Sequence, residues 1–300
     1  MTDFVNTEIA KLRSVSKKPL RMLVKPRDDT CISLALSKNG YWEPYNTALI
    51  RCILERGDCF FDLGANLGYF SLIAADCVGE NGSVIAFEPE PENSKFCEVN
   101  AYLNGFESTI AVYPHAIGLN QETRTLFRAG GNHGGHQLEY HFRDKQDLAG
   151  INVSVTSLDQ FSEEHDIPSV QLIKMDVQGY ETRALLGMKN LIKRNLDHLM
   201  VLAEFSPTLL SPFDDDQTGL ARFYDILEQD VDAFFLIGRN QPTFNDVVVD
   251  PLNTSQLREI ANSLEKATEA NNVDACVDLL IFFSAKATQR FLQKAGSIQR

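Results

Sequence analysis

Short apolar runs alternate with longer segments of helical spacing through the middle of the chain. The apolar runs cover residues 59–63, 84–87, 110–113, 170–175 and 199–203. Between them, apolar residues recur at intervals of three and four over residues 69–77, 92–103 and 181–195. Strand-sized runs separated by helices of about 10–15 residues are typical of βαβ units. The pattern therefore predicts an α/β fold around a parallel sheet.

The two ends of the chain carry a weaker pattern. The spacing predicts helices over residues 45–55 and 220–227 and late strands over 233–237 and 279–283. The basic stretch 17–27 holds two prolines, and we interpret it as a solvated connector. Residues 251–269 are polar and only partly helical in pattern. Neither of these two segments predicts a defined packed element.

These patterns predict one decorated domain rather than two. We assign residues 1–56 to an N-terminal extension and lead-in helix, and residues 57–300 to the main domain. Within the main domain the core covers about 57–205, and about 206–300 form a C-terminal decoration. Two local signals lie in the core: Ser157 opens a capping-box pattern with Gln160, and Gly187 interrupts the helical spacing of 181–195.

Charge and cysteine usage narrow the classes of partner. The formal net charge is −13, which argues against a nucleic acid or an anionic membrane surface as the partner. The six cysteines form no C-x-x-C pair, so a reduced state is expected. No apolar run reaches the length of a membrane span, and the N-terminal residues lack a signal core. We predict a cytoplasmic protein without disulfides.

The stretch F-F-D-L-G-A-N-L-G-Y-F places two glycines between a strand and a helix. Glycine permits positive φ and close approach of a ligand, and ligands of open α/β sheets bind at the carboxyl ends of strands. Asp62 ends the strand, and Gly64 and Gly68 follow. Their spacing fails the pattern G-x-x-x-x-G-K-[ST]. The pattern G-x-G-x-x-G fails as well, because Asn66 and Tyr69 stand at its second and third glycine positions. A ligand without a pyrophosphate group fits better.

The second predicted strand adds an acid. It ends at Glu88, roughly 20 residues beyond the glycine turn, where a carboxylate is placed to accept hydrogen bonds from ribose hydroxyls. Asp62 could accept from an ammonium group. The glycine turn allows a ligand to approach the backbone closely, the acid is placed to bind a ribose, and no phosphate-binding motif is present. These three features together are those expected of a site for S-adenosylmethionine.

Several motifs in order resemble one family. They are F-D-L-G-A-N-L-G-Y-F-S, I-A-F-E-P-E-P-E-N, L-N-G and L-I-K-M-D-V-Q-G-Y-E-T-R-A-L-L-G-M, preceded by G-Y-W-E-P-Y. Together they span about residues 40–205 and resemble the FkbM-type family of S-adenosylmethionine-dependent methyltransferases. The resemblance implies a class I methyltransferase fold, which is Rossmann-like and doubly wound, with a mostly parallel sheet and helices on both faces. It also implies methyl transfer to a hydroxyl oxygen of a small metabolite or sugar.

The resemblance also implies roles for individual residues. The methionine half of the cofactor would be lined by Asp62, Gly64, Asn66 and Gly68. Glu88 would hold the ribose, and Ala116, just past the third strand, would lie near the adenine. The family usually has glutamate where this chain has Gln178, so a role that needs a charge there does not carry over.

The acceptor side is less specific in the sequence. Asp176 and Glu204 are predicted to end later strands on the same rim as Asp62. Asp176 is the first candidate for a general base or an acceptor-orienting group, with capping of the next turn as the alternative. Lys174 is expected to pair with a neighbouring acid, and Glu181 to cap a helix.

The loop G-G-N-H-G-G-H carries His133 and His136. A mobile lid bearing a histidine base and a plain solvated loop are both compatible with it. A glycine-rich loop gives little rigidity to metal ligands, so we predict no metal site.

Two rival functions stay open at this point. A nicotinamide-dependent oxidoreductase could use a similar fold, although its glycine pattern is missing. A non-catalytic nucleoside-binding or scaffold protein could keep the fold and the site. The sequence predicts neither the oligomeric state nor the acceptor.

Overall fold

The computed structural model describes residues 6–13, 16, 18–129, 134–138, 150–210, 218–237, 249–271 and 275–298. The strands are β1 Glu8–Lys11, β2 Arg21–Val24, β3 Cys59–Leu63, β4 Ser83–Phe87, β5 Ile110–Tyr113, β6 His115–Ile117, β7 Glu122–Phe127, β8 Gly150–Thr156, β9 Leu172–Met175, β10 Met200–Phe205, β11 Ala233–Ile237, β12 Val249–Leu252 and β13 Val277–Phe282. The helices are α1 Ile32–Asn39, α2 Pro44–Ile53, α3 Tyr69–Val78, α4 Pro91–Leu103, α5 Leu158–Glu164, α6 Glu181–Leu186, α7 Lys189–Asn195, α8 Gly219–Gln229, α9 Thr254–Asn271 and α10 Ala285–Ile298.

The main sheet has eight strands in the order β12-β11-β13-β10-β9-β3-β4-β5. The five strands from β10 to β5 are parallel to their neighbours, whereas β13, β11 and β12 pair in antiparallel fashion. The strand order runs outward in both directions from the β3–β9 pair. This is the topological switch point at which ligands of such sheets bind. The predicted doubly wound, mostly parallel sheet is confirmed.

Residues of each central strand alternate between two apolar layers. In β3, Phe60 packs into a core with residues of α1, α2, α3, α4 and α10. Its neighbour Phe61 packs into a second core with residues of α5 through α9. Because side chains alternate across a strand, Asp62 lies on the same face as Phe60, toward α3. Helices therefore cover both faces of the sheet.

A smaller three-stranded sheet, in the order β6-β8-β7, lies beyond β5 in the chain. Its apolar side chains pack with Tyr180 into a third, smaller core. The cap prediction is confirmed, since the Ser157 hydroxyl accepts from the Gln160 backbone N–H. The break at Gly187 is also confirmed, because it separates α6 from α7.

Three expectations about element boundaries were wrong. The basic stretch 17–27 is not a solvated connector, because β2 pairs with β1 and buries Met22 and Val24 completely. Residues 251–269 are better ordered than their polar pattern indicates, since they contribute to β12 and to most of α9. Glu204 does not end its strand, because β10 continues to Phe205 through pairing with β13.

Candidate active site

The turn between β3 and α3 has an unusual backbone. Gly64, Asn66 and Gly68 all take positive φ, at 80°, 51° and 88°. The backbone N–H groups of Gly64 and Ala65 both donate to the carbonyl of Phe87 at the end of β4, at 2.9 and 3.0 Å. These bonds tie the turn to the second strand of the switch point. The turn is thus fixed by its neighbours as well as by its own residues.

A side chain at either glycine of the turn would collide with protein atoms. A Cβ on Gly64 would lie 1.9 Å from the backbone oxygen of Asp176, and one on Gly68 would lie 2.7 Å from the Sγ of Cys97. Glycine is therefore required at both positions by close packing and by positive φ. The space released at Gly64 lets the ends of β3 and β9 approach each other.

Asp62 is fully buried beneath this turn. Its Oδ2 accepts from the Ser71 hydroxyl of α3 at 2.6 Å, and its Oδ1 has no hydrogen-bond partner among the residues that the structure describes. Burial raises the pKa of Asp62, and the nearby Lys174 ammonium partly opposes this. A buried carboxylate oxygen without a partner is costly unless a donor reaches it.

Glu88 links the end of β4 to the glycine turn. Its Oε2 accepts from the backbone N–H of Asn66 at 2.7 Å, and its Oε1 accepts from that of Glu90 at 2.9 Å. Each carboxylate oxygen can accept more than one hydrogen bond, so Glu88 keeps capacity for a ligand hydroxyl. Burial raises the pKa of Glu88 to about 8, against the lowering effect of the two N–H donors.

The raised pKa of Glu88 predicts that stability falls as the pH rises. The folded protein holds this proton above the pH at which the unfolded chain releases it, so the contribution is complete below about pH 4.5 and lost through about pH 8. Relative to Glu88→Gln, the wild type should lose roughly 4 kcal/mol of unfolding free energy between pH 5 and pH 9. Urea titrations at several pH values measure this difference. A difference that stays constant over that range would contradict the assignment.

Ala116 and His136 have their described contacts in the small sheet and the strand β7. Ala116 is buried in β6 within the apolar core of the small sheet. The Nδ1 of His136 accepts from the backbone N–H of Ala129, and the adjacent Gln137 bridges to Phe127 at the end of β7. His133 lies outside the described residues. The proposed adenine role of Ala116 and the proposed base role of the histidines stay predictions.

Four carboxyl groups gather at the carboxyl ends of the central strands. Lys174 of β9 pairs with Asp62 of β3, and Asp176 lies two residues further on the same face of the sheet. Glu204 of β10 pairs with Asp278 of the antiparallel β13. The fourth carboxyl belongs to Glu43, which comes directly before α2. We call Glu43, Asp176, Glu204 and Asp278 the carboxyl rim.

The buried ammonium of Lys174 balances part of this charge. Its Nζ lies 3.1 Å from the Oδ2 of Asp176 and 4.7 Å from the ring centroid of Phe70. Burial alone would lower the pKa of Lys174, but the carboxylates of Asp176, Glu43 and Asp62 outweigh burial and raise it. Lys174 therefore stays charged, and the expected ion pair with a neighbouring acid is confirmed.

Gln178 and Glu181 organise the loop after β9. The Nε2 of Gln178 donates to Oδ1 of Asp176 at 2.7 Å and to Oε1 of Glu204 at 3.1 Å. Glu181 opens α6 as expected, but it accepts from the backbone N–H groups of Val177 and Gly179 in the preceding loop and so holds that loop rather than capping the helix. A neutral amide donor at position 178 fits between two carboxyls, where the glutamate usual in the resembling family would add a third.

The sequence prediction missed Glu43 and Asp278 as members of the rim. The letters G-Y-W-E-P-Y gave a signal for Glu43, since an acid before a proline opens a predicted helix. Asp278 gave none, because its approach to Glu204 depends on the antiparallel insertion of β13 beside β10. Within the described ranges, no group of three or more histidine, cysteine, aspartate or glutamate side chains is arranged to hold a metal ion.

The site residues fit a ligand with an ammonium group and a ribose. Asp62 presents a buried carboxylate oxygen without a described partner, and Glu88 keeps acceptor capacity at the neighbouring strand end. No phosphate-binding lysine or second glycine pair accompanies them in the turn.

Of the helices in the described part of the chain, none combines the length and the apolar content needed to cross a bilayer.

Comparison with known proteins gives a family match. The methyltransferase FkbM domain family matches residues 62–228 of this chain, which is more than half of its length. The match confirms the resemblance that the motifs gave, and the chain belongs to this family.

Individual relatives are distant. The hexuronic acid methyltransferase AglP of Haloferax volcanii is 26% identical over 156 residues, covering 48% of this chain and 57% of that protein. The crystal structure of methyltransferase FkbM from Methylobacillus flagellatus KT aligns at a TM-score of 0.41 and 17% identity, covering 75% of this chain and 44% of that one. An S-adenosylmethionine-dependent O-methyltransferase from Thermotoga maritima aligns at a TM-score of 0.41 and 13% identity, covering 81% and 65%. The chain thus spans about half the length of the first two relatives.

Proposed function

Because this chain belongs to the FkbM methyltransferase family, we propose that it transfers a methyl group from S-adenosylmethionine to a hydroxyl oxygen of a small metabolite or sugar. The observation that carries the proposal is the pair of buried carboxylates, Asp62 and Glu88, that flank the positive-φ turn at the switch point of the sheet. This pair fits the ammonium and ribose of the cofactor.

Two further observations support a hydroxyl acceptor of small size. The relative AglP is a hexuronic acid methyltransferase, so a sugar is the acceptor class of a family relative. The net charge of −13 disfavours a nucleic-acid acceptor, because phosphate binding needs a basic surface.

Each residue of the proposed site would have a separate role that depends on its position. Asp62 and Glu88 would hold the two polar ends of the cofactor, and the turn from Gly64 to Gly68 would fix the distance between them. Asp176, charged beside Lys174 and held by Gln178, would orient the acceptor hydroxyl. The bound cofactor supplies an electrophilic methyl group. Holding the hydroxyl in line with that group lowers the entropic part of the barrier.

Calorimetric titration tests the cofactor site. S-adenosylmethionine should bind the wild type, and Asp62→Asn and Glu88→Gln should each weaken binding at least about tenfold, because each replaces an acceptor oxygen with an amide donor. The control Glu98→Gln changes an exposed glutamate of α4 and should leave the affinity unchanged.

The same titration separates the rival functions. Tight binding of NADH with none of S-adenosylmethionine would refute the proposal in favour of an oxidoreductase. A second experiment identifies the acceptor. Labelled S-adenosylmethionine is added to a lysate together with the protein, and the labelled product should be a methyl ether. Cofactor binding without transfer to any component of the lysate or to a panel of polyols would favour the scaffold alternative.

A further inference from the structure

Glu43 has a strained backbone at the start of α2, a helix tied to the first residue of α3 through the hydroxyls of Thr47 and Tyr69, which lie 3.1 Å apart. It precedes Pro44, which opens α2, and its φ of 39° and ψ of 72° place it in the left-handed region. For a residue other than glycine this conformation costs about 1–3 kcal/mol and persists only where surrounding contacts impose it.

The side chain of Glu43 reaches a buried polar environment. Its Oε2 accepts from the Nδ2 of Asn46 at 2.8 Å. Asn46 is 1% exposed, and its Oδ1 has no hydrogen-bond partner in the described part of the chain. A second buried atom without a described partner, Oδ1 of Asp62, belongs to β3. Both atoms are available to polar groups of a ligand, because buried polar atoms normally have a hydrogen-bond partner.

Two other members of the rim, Asp176 and Glu204, are less suited to take up a proton. Both oxygens of Asp176 already accept hydrogen bonds, from Lys174 at 3.1 Å and from Gln178 at 2.7 Å. Burial, together with the charges of Asp176 and Asp278, raises the pKa of Glu204 well above its usual range, and its Oε1 accepts a hydrogen bond from the Nε2 of Gln178. Glu43 differs from both in the positive and negative groups that act on its carboxyl.

The charged groups that face Glu43 come from three strands. Lys174 and Asp176 lie on β9, Glu204 on β10 and Asp278 on β13. Burial raises the pKa of Glu43 to about 7, with Lys174 acting in the opposite direction and Asp278 and Asp176 adding to the rise. A general base is most effective when its pKa lies near the working pH.

We propose that Glu43 is the general base of the reaction, a role that rests on the methyl transfer proposed above. The acceptor hydroxyl gives its proton to a carboxylate oxygen of Glu43 as its own oxygen bonds to the methyl carbon. The bond between sulfur and that carbon breaks, and the electron pair stays on sulfur as a neutral thioether. The proton then passes from Glu43 to solvent. Asp176 orients the hydroxyl, and Lys174 holds Asp176 in place.

The variant Glu43→Gln tests the role, since it keeps the shape and removes the base. Transfer into the labelled lysate should fall by about 10²–10⁴-fold, whereas the affinity for S-adenosylmethionine stays within about twofold. Glu43→Asp should recover part of the rate, and the exposed control Glu98→Gln should keep all of it. Transfer by Glu43→Gln at the wild-type rate would overturn the proposal. Failure of the wild type to bind the cofactor would instead refute the methyltransferase function itself.

A second readout does not depend on the acceptor. A raised pKa in the folded state means that the stabilising contribution of Glu43 is present below about pH 4.5 and lost through about pH 7. The melting temperature of the wild type should therefore fall relative to Glu43→Gln as the pH rises from 5 to 8. A difference in melting temperature that does not change with pH would overturn the proposal even if no acceptor were found.

Discussion

Gly64→Ala is expected to destabilise the protein by roughly 3–5 kcal/mol. The new Cβ would lie 1.9 Å from the backbone oxygen of Asp176, and φ at this position is +80°. Neither the strand end that carries Asp176 nor the turn tied to Phe87 can move without breaking backbone hydrogen bonds. Both the strained backbone and the forced separation of β3 from β9 contribute to the loss.

Gly57→Ala is the matched control for the conformational part of this effect. Gly57 has a φ of +91°, but a Cβ there would meet nothing within 4 Å. Its substitution should cost only about 1–2 kcal/mol, the usual cost of a left-handed residue with a side chain. Urea denaturation of both variants measures the difference. Equal losses would show that the contact with Asp176 is not what requires glycine at position 64.

The periodicity of the chain predicted the central elements well because local and tertiary demands agree there. The run 59–63 matches β3 at both ends, and the helix predicted over 69–77 differs from α3 by a single residue. Buried parallel strands read as apolar runs, and each is followed by a helix that must cover it. Asp62 and Glu88 stood out because an acid that ends such a run has no packing reason to be there.

The purpose of the glycines was only partly visible in the sequence. Their position between a strand and a helix predicted the turn and its positive φ, and both are observed. The sequence also suggested that glycine was needed for a ligand to approach. The structure shows that the space is filled by Asp176 and Cys97, residues more than 25 positions away in the chain. Contacts of that range do not appear in a local motif.

The acceptor side of the site was predicted least well, since it is built from distant segments. Glu43 belongs to the lead-in to α2, and Asp278 belongs to a strand near the end of the chain. Asp278 meets Glu204 only because β13 inserts beside β10 in antiparallel direction. A strand inserted late in the sequence gives no periodic signal of its position in the sheet. The N-terminal hairpin was missed for a similar reason, because its burial depends on contacts with α4.

The rim also shows why a protein with so many acids keeps a buried lysine. Carboxyls at Glu43, Asp62, Asp176 and Glu204 all act on the ammonium of Lys174. One positive charge cannot balance four negative charges, so some of the carboxyls hold protons, as the raised pKa values of Glu43 and Glu204 indicate. The charge state of the rim therefore depends on Lys174.

Lys174→Met should destabilise the protein by about 3–5 kcal/mol at pH 8, because removing one partner of a buried ion pair leaves the other charge uncompensated. The thioether side chain keeps much of the packing against Phe70, so the loss reports on charge. At pH 5.5 the rim carboxyls can take up protons instead, and the loss should be clearly smaller. Urea denaturation at the two pH values measures both effects.

Lys25→Met is the matched control, because Lys25 also lies 4.7 Å from a phenylalanine ring and is 2% exposed. Its ion-pair partner Glu92 has a side chain that is 41% exposed. Solvent can therefore take over the charge of Glu92 when the lysine is removed, and the loss should be only about 1 kcal/mol, with little dependence on pH. Losses of the same size and the same pH dependence in the two variants would contradict the role of Lys174 as the counter-charge of the carboxyl rim. A larger loss confined to Lys174→Met at high pH would instead tie the stability of the acceptor side to a single buried ammonium group.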